Sequence, residues 1–161
     1  MKGKSVTVER SAGAVLFRRR GGDILYLLLQ YPQGHWSFPR GHIEGAETPI
    51  ETVRREVKEE ANISRVRFFP GYREKVHFRY QWPPKSVDAE SRLKFVVFYL
   101  GQVFESRVKI SEEHKSFRWV PYDRALKMLR HKNMRVILEK AHAAIMRHRP
   151  QWKHGAAKNG S

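Results

Sequence analysis

The sequence has 161 residues, with 32 Lys or Arg against 16 Asp or Glu and no Cys, so its formal net charge is +16 with His neutral. This length fits one domain, and the lack of Cys excludes a disulfide scaffold, a zinc finger and a thiol nucleophile. No apolar run approaches the ~20 residues of a membrane span and no signal-peptide pattern is present, so we expect a cytoplasmic protein with anionic partners.

Two short apolar runs near the start predict a β-hairpin. Residues 11–17 and 24–30 are joined by a segment containing Gly21-Gly22, and a Gly-Gly pair between two such runs is typical of a hairpin turn. The second run is apolar almost throughout, which indicates a strand buried on both faces. The prolines and glycines in residues 31–41 predict a loop without regular structure.

The segment after Thr48 has the signals of an amphipathic helix. Thr48 is a suitable N-cap, Pro49 suits the first helical position, and Glu51 completes a capping box. Asn62 stands where the helix would end, since Asn tolerates the left-handed terminating conformation. Apolar residues at three- and four-residue steps give the helix one buried stripe, made of Ile50, Val53, Val57 and Ala61.

The sequence after residue 65 predicts further strands followed by helices. The predicted elements are extended chain over 66–80, a loop over 81–91, strands over 93–100 and 116–120, and helices after Pro121. Arg73, Lys75 and Arg79 alternate along the extended chain, so they point to one face, which we expect to face solvent rather than a phosphate groove. We expect an α+β fold in which helices flank a mixed central sheet over residues 1–150, with a disordered basic tail over 151–161.

Three carboxylates cluster on the predicted helix. Glu56, Glu59 and Glu60 are related by three- and four-residue steps, so they occupy one helix face, which we expect to point to solvent. Like charges at this spacing repel one another unless a cation lies among them, and carboxylate oxygens suit hard cations such as Mg²⁺, with Mn²⁺ as the alternative. The competing interpretation is a solvated acidic face paired with the many Lys and Arg side chains.

The residues around this cluster resemble the signature of the Nudix hydrolases. That signature reads G-x5-E-x7-R-E-U-x-E-E-x-G-U, with U aliphatic, and it matches this chain from Gly41 to Ile63 at every specified position except the last glycine, which is Asn62 here. The resemblance implies a Nudix-type α/β/α sandwich. It also implies hydrolysis of a nucleoside diphosphate linked to another group.

The resemblance also implies roles for individual residues. The implied ligands of the divalent cation are Glu56, Glu59, Glu60 and the main-chain carbonyl of Gly41. Arg55 would position the helix glutamates by ion pairing, and Glu47 would support the motif. Among the glutamates, Glu56 is our candidate for the general base.

Other segments are similar to the Nudix subgroup that cleaves diadenosine tetraphosphate asymmetrically into ATP and AMP. Residues 35–42, HWSFPRGH, match the subgroup's H-W-x-x-P-K-G-H segment, with Arg40 in place of Lys, and residues 113–119 match its E-H-x-x-[YF]-x-W segment. This likeness implies phosphate contacts by Arg40, His42 and Lys94. It further implies that Glu113 is a fourth acidic ligand and that Phe117 contacts the nucleobase.

Three functions stay open on these grounds. The first is hydrolysis of a dinucleoside polyphosphate. The second is pyrophosphate removal from RNA 5′ ends, for which Arg18–Arg20 and the basic C-terminal segment would hold phosphates, or action on another nucleotide pyrophosphate by an enzyme of the same fold. The third is a nucleotide-binding module without turnover, which would have no need of three repelling carboxylates. We expect the first, acting as a monomer on a nucleotide or dinucleoside polyphosphate, with RNA as the alternative partner and no membrane.

Overall fold

The computed structural model describes residues 6–104, 107–109 and 114–156. In chain order its elements are β1 (Thr7–Arg20), β2 (Asp23–Gln30), β3 (Trp36–Ser37), β4 (Arg40–His42), α1 (Pro49–Ala61), β5 (Val66–Phe68), β6 (Glu74–Trp82), β7 (Glu90–Val103), β8 (Ser116–Pro121), α2 (Tyr122–Met128) and α3 (Lys132–Ala156). Across these described ranges, the helices are too short or too polar to cross a membrane.

The sheet is mixed, and β1 lies at its centre. β1 pairs in parallel with β7 from Thr7↔Arg92 to Phe17↔Gln102, whereas the other pairings are antiparallel. On its other edge, β1 pairs with β4 in its first half and with β2 at its end. β8 pairs with β2, and β5 and β6 pair with β7. The predicted hairpin of β1 and β2 is confirmed, with Gly21 at φ 60° in the turn.

Each face of the sheet carries an apolar layer beneath a helix. On one face, α3 contributes Ile137, Leu138 and Ala141 to a layer that contains Phe98 and Leu100 of β7. On the other face, α1 contributes three of its four predicted stripe residues, Val53, Val57 and Ala61, which pack with Ala12, Ala14 and Val97. The expected sandwich of a mixed sheet between helices is therefore confirmed.

Helix α1 begins and ends where the sequence predicts. Thr48 is the N-cap, Pro49 opens the helix, and Thr48 and Glu51 form both hydrogen bonds of the capping box. Asn62 closes the helix in the left-handed conformation, with φ 55° and ψ 35°, and its N–H donates to the carbonyl of Lys58. Because capping interactions within a few residues set both ends of α1, they also set which turns of the helix carry the three glutamates.

Two predictions about irregular segments need correction or extension. The prediction that residues 31–41 lack regular structure is wrong, because β3 and β4 lie there. Both strands are very short, and Pro39 lies between them, so neither strand contains the proline. At the C-terminus, α3 continues to Ala156, whereas residues 157–161 lie outside the described part, so the domain boundary at residue 150 stays a prediction.

Candidate active site

Helix α1 forms one wall of a cleft of about 700 Å³, into which Glu56, Glu59 and Glu60 all project. Their surroundings differ: the Glu59 side chain is 59% exposed and that of Glu56 only 14%, while Glu60 is buried. The expectation that this helix face points to solvent is therefore wrong for Glu60. Its carboxylate lies against the buried His114, with Oε1 3.7 Å from Nε2 of that ring.

Arg55 connects the parts of this wall. Its Nε donates to Oε2 of Glu47 at 2.8 Å, its Nη1 donates to Glu56 at 2.8 Å and to Glu59 at 3.3 Å, and its Nη2 donates to the carbonyl of His42 at 2.9 Å. The hydrogen bond from Arg55 is the main reason why the pKa of Glu47 falls to about 2. One guanidinium thus fixes two glutamates of α1 relative to the loop that precedes the helix.

Gly41 lies directly against the Glu56 carboxylate. A Cβ atom at residue 41 would overlap Cδ and Oε1 of Glu56, so a side chain here would displace the carboxylate. The main chain of Gly41 and the carboxylates of α1 therefore share one end of the cleft, and their donors are all oxygens, which hard divalent cations prefer. Among the described residues, no three His, Asp or Glu side chains already converge as a metal cluster.

Cations form a second wall of the cleft. Arg40 and His42 of β4 and Lys94 of β7 line it, and His35 adds an imidazole. Burial lowers the pKa of Lys94, and the nearby Arg40 lowers it further. Burial also lowers the pKa of His35, again with a contribution from Arg40. The cleft therefore presents both the carboxylates of α1 and positive charge from β4 and β7.

Aromatic rings hold this second wall in place. The ring of Tyr31 stacks on His35, with centroids 5.2 Å apart, and meets His114 edge-on at 4.7 Å. The guanidinium of Arg40 lies 5.8 Å from the Tyr31 ring centroid, and the Tyr31 hydroxyl donates to the carbonyl of Phe38 at 2.8 Å. Burial raises the pKa of Tyr31.

Three of these cleft residues, Tyr31, His35 and His114, are absent from the predicted site. Tyr31 and His35 follow β2, and His114 precedes β8. These chain ends meet because the two strands pair antiparallel, with Gln30 opposite Ser116. Two signals were available, His35 within the HWSFPRGH segment and His114 within the segment of residues 113–119, but nothing local predicts that β2 and β8 are neighbours.

Phe117 is a predicted site residue that the structure places outside the cleft. Phe117 pairs opposite Leu29 and packs against the apolar layer under α1 rather than lining the cleft, because its position on β8 directs the ring to that layer. Glu113 lies outside the described residues. The remaining predicted residues do lie in the cleft or contact those that line it.

Comparison with known proteins extends these observations. The sequence model of the NUDIX domain matches residues 7–141. The bis(5′-nucleosyl)-tetraphosphatase [asymmetrical] of Sus scrofa is 31% identical over 145 residues, covering 83% of this chain and 92% of that protein. An RNA pyrophosphohydrolase of Photobacterium profundum is 28% identical over 128 residues, covering 73% of this chain and 67% of that protein.

A solved structure supports the same assignment. The crystal structure of a C. elegans Ap4A hydrolase binary complex superposes with a TM-score of 0.74 at 30% identity, covering 86% of this chain and 98% of that one. The family match spans most of the folded elements, from β1 into α3. The chain therefore belongs to the Nudix hydrolase family, which acts on nucleotide pyrophosphates.

Proposed function

We propose that this protein hydrolyses diadenosine tetraphosphate asymmetrically, giving ATP and AMP, with Mg²⁺ or Mn²⁺ as the cofactor. The observation that carries the proposal is that one cleft is lined both by the glutamates of α1 and by Arg40 and Lys94. A polyphosphate chain fits between such walls, because its oxygens can contact the cations while the carboxylates hold a divalent ion.

Oxygen donors from α1 and β4 would hold the cation, namely Glu56, Glu59, Glu60 and the main-chain carbonyl of Gly41. Glu113 is proposed as a further acidic ligand. When bound, a divalent cation supplies neutralisation of phosphate charge and lowers the pKa of a bound water. The close approach of Gly41 to Glu56 supports this set, because a side chain at residue 41 would displace one of its carboxylates.

The chain's own groups would prepare the hydrolysis. Arg55 holds Glu56 and Glu59 in place through Nη1, and Glu47 fixes Arg55 through two hydrogen bonds of 2.8 and 3.0 Å. Glu56 would accept the proton from the attacking water as general base. Because Glu56 is anchored by Arg55, its carboxylate does not need to reorganise for this transfer.

Positive side chains would bind and orient the phosphates. Arg40 presents a planar fork of donors, which matches the geometry of phosphate oxygens. Lys94 and His42 would contact neighbouring phosphates from β7 and from the rim of the cleft. His35 would keep the Arg40 side of the cleft in place by its stacking on Tyr31.

The choice of substrate rests on the relatives and on the HWSFPRGH segment. Proteins named as asymmetrical tetraphosphatases match most of this chain at about 30% identity, which favours the dinucleotide. The RNA pyrophosphohydrolases also match, over a smaller share of the chain, so removal of pyrophosphate from RNA 5′ ends is the second candidate. We further propose that the protein works as a monomer in the cytoplasm.

A product assay on matched substrates tests the proposal. The protein is incubated with diadenosine tetraphosphate or with a 5′-triphosphorylated RNA oligonucleotide, with Mg²⁺ or Mn²⁺, and products are separated by chromatography. We expect equimolar ATP and AMP from the dinucleotide. Formation of ADP alone would contradict asymmetric cleavage, and turnover of the RNA alone would favour the second candidate. Turnover of neither would contradict both and leave another nucleotide pyrophosphate as the substrate, or a binding module.

The salt dependence separates the two substrates further. An RNA substrate releases many counterions when it binds, so its KM should rise steeply with added salt. The KM for a dinucleotide, which carries few charges, should rise gently. A steep rise for diadenosine tetraphosphate would indicate contacts well beyond the cleft.

A further inference from the structure

A second surface lies on the face of the sheet beneath α1, at the ends of the strands that α1 leaves uncovered. Side chains alternate along a strand, so residues that pair across neighbouring strands share one face of the sheet. Between β1 and β7, Val8 lies opposite Leu93 and Arg10 opposite Phe95. Between β7 and β6, Phe95 lies opposite His77 and Leu93 opposite Arg79. Lys75 continues the row on β6. We name these seven residues, Val8, Arg10, Lys75, His77, Arg79, Leu93 and Phe95, the basic sheet face.

Charge is segregated between the two faces of this part of the sheet. The acids of the same strand segments, Glu9, Glu74 and Glu90, alternate onto the opposite face. Two of them are paired there: Glu9 accepts hydrogen bonds from Tyr80 and Arg92, and Glu74 from Lys140 of α3. The basic sheet face thus carries cations at three of its seven positions and a carboxylate at none.

An exposed aromatic ring stands in the middle of these cations. Phe95 is 41% exposed, and its ring centroid lies 6.1 Å from that of His77. The ring borders a cleft of about 330 Å³ that is also lined by Arg10, Arg73 and Lys75. Val8, one strand away, is 50% exposed. Within the described part of the chain, Arg10, Lys75 and Arg79 form no ion pair, and exposed apolar surface beside such cations indicates a binding surface.

We propose that the basic sheet face binds single-stranded nucleic acid. Lys75 and Arg79 are four residues apart on β6, so their positions are roughly 13 Å apart, which suits contacts to two phosphates that are not adjacent, with His77 between them. Phe95 would stack on an unpaired base, as exposed aromatics on sheet surfaces do in nucleic-acid-binding domains. A flat row of cations around one ring fits a strand of phosphates and bases better than a lipid bilayer, which would require protruding apolar side chains.

This surface is separate from the candidate active site. Lys94, which lines the catalytic cleft, precedes Phe95 in β7 and therefore points to the other face of the sheet. The α1 wall of that cleft contains none of the seven residues of the basic sheet face. Nucleic-acid binding can thus be measured, and can fail, independently of the proposed hydrolysis.

Fluorescence anisotropy with a labelled 5′-hydroxyl RNA oligonucleotide tests the proposal, because this probe has no phosphoanhydride to hydrolyse. Phe95→Ala should weaken binding about tenfold, since stacking on one base contributes about 1–3 kcal/mol, while Phe95→Tyr should retain it. The double variant Lys75→Ala with Arg79→Ala should weaken binding and reduce the salt slope by about 1.4. Hydrolysis of diadenosine tetraphosphate should be unchanged in all three variants.

A charge-matched control distinguishes RNA binding at the basic sheet face from non-specific electrostatic binding to a basic protein. Arg124 and Lys127 are exposed on α2, so their double Ala variant removes the same charge elsewhere and should leave RNA affinity nearly intact. Equal weakening by this control, or unchanged binding in Phe95→Ala, would overturn the proposal. Melting temperatures check the fold, and if Phe95→Ala does not fold, the two charge-removing double variants decide between the outcomes.

Two further probes identify the ligand. The first probe is a single-stranded DNA of the same base sequence. If its binding is also weakened by Phe95→Ala, the proposal is supported, because phosphates and bases are common to both polymers. Vesicles containing phosphatidylserine test the membrane alternative. If vesicle binding depends on Phe95 and Lys75 while RNA binding does not, the surface is a membrane contact and the proposal is wrong.

Discussion

The two walls of the catalytic cleft are stabilised by different interactions. On the α1 wall, ion pairs through Arg55 hold carboxylates whose side chains are 14% to 59% exposed, and ion pairs near the surface contribute little to the free energy of unfolding. On the second wall, buried or partly buried rings such as Tyr31 and His114 pack on one another. Changes in the α1 wall should therefore reduce activity with little loss of stability, and changes among the rings should do the reverse.

The largest effect expected from this contrast is on catalysis by Glu59→Gln. The variant removes one of the proposed carboxylate ligands of the cation, from an exposed side chain, so we expect kcat to fall about 10²–10⁴-fold, because stabilisation by the metal contributes several kcal/mol. The melting temperature should change by no more than about 2 °C, as for most surface substitutions. Glu139→Gln, an exposed change on α3, is the control for kcat. If Glu59→Gln unfolds the protein, the α1 wall is structural and the contrast between the walls is wrong.

Gly41→Ala tests the same wall without removing a charge. The added Cβ would push the Glu56 carboxylate aside, and a displacement of about 1 Å at a reacting group can cost about 100-fold in rate. The Glu56 side chain can move, so the melting temperature should change little. Gly22→Ala is the matched control, because its Cβ would meet no atom within 4 Å. Equal activity of the two variants would show that the position of Glu56 is not critical.

The α1 wall is also the part that the sequence predicts best. Thr48, Glu51 and Asn62 define the ends of α1 through interactions within a few residues, and the spacing of the glutamates fixes which helix face they share. Such signals are local, so they can be read without knowing the fold. The hairpin of β1 and β2 is predictable for the same reason.

The ring wall could not be predicted, because its residues meet only through the sheet. Tyr31 and His114 become neighbours through the pairing of β2 with β8, and the burial of Glu60 follows from His114 packing against it. The position of Phe117 depends on which face of β8 meets the layer under α1. Short strands such as β3 form because an edge of β2 is available, not because their own residues favour them.

Tyr31→Phe tests the ring wall. It removes the hydroxyl that donates to the carbonyl of Phe38, so we expect the free energy of unfolding to fall by about 1 kcal/mol and the melting temperature by about 2–4 °C. The change in kcat should stay within about twofold. Tyr72→Phe removes a hydrogen bond of the same 2.8 Å length, to Ile137 and away from the cleft, and should cost similar stability. A large loss of kcat in Tyr31→Phe alone would mean that this hydroxyl acts on the substrate.

The smallest effect is the pH dependence of stability at Glu47. Arg55 lowers the pKa of Glu47 from 4.5 to about 2 in the folded protein, so the ionised form contributes stability that is fully present above pH 4.5. This contribution is lost as the pH falls through the folded-state pKa, since both states then carry the proton. Glu47→Gln should therefore melt slightly below the unmodified protein at pH 7, and the two melting temperatures should converge between pH 4.5 and pH 2. A difference in melting temperature that stayed constant over that range would mean that Glu47 acts through the shape of its side chain and not through its charge. The α1 wall would then depend less on ion pairs than the contacts of Arg55 indicate.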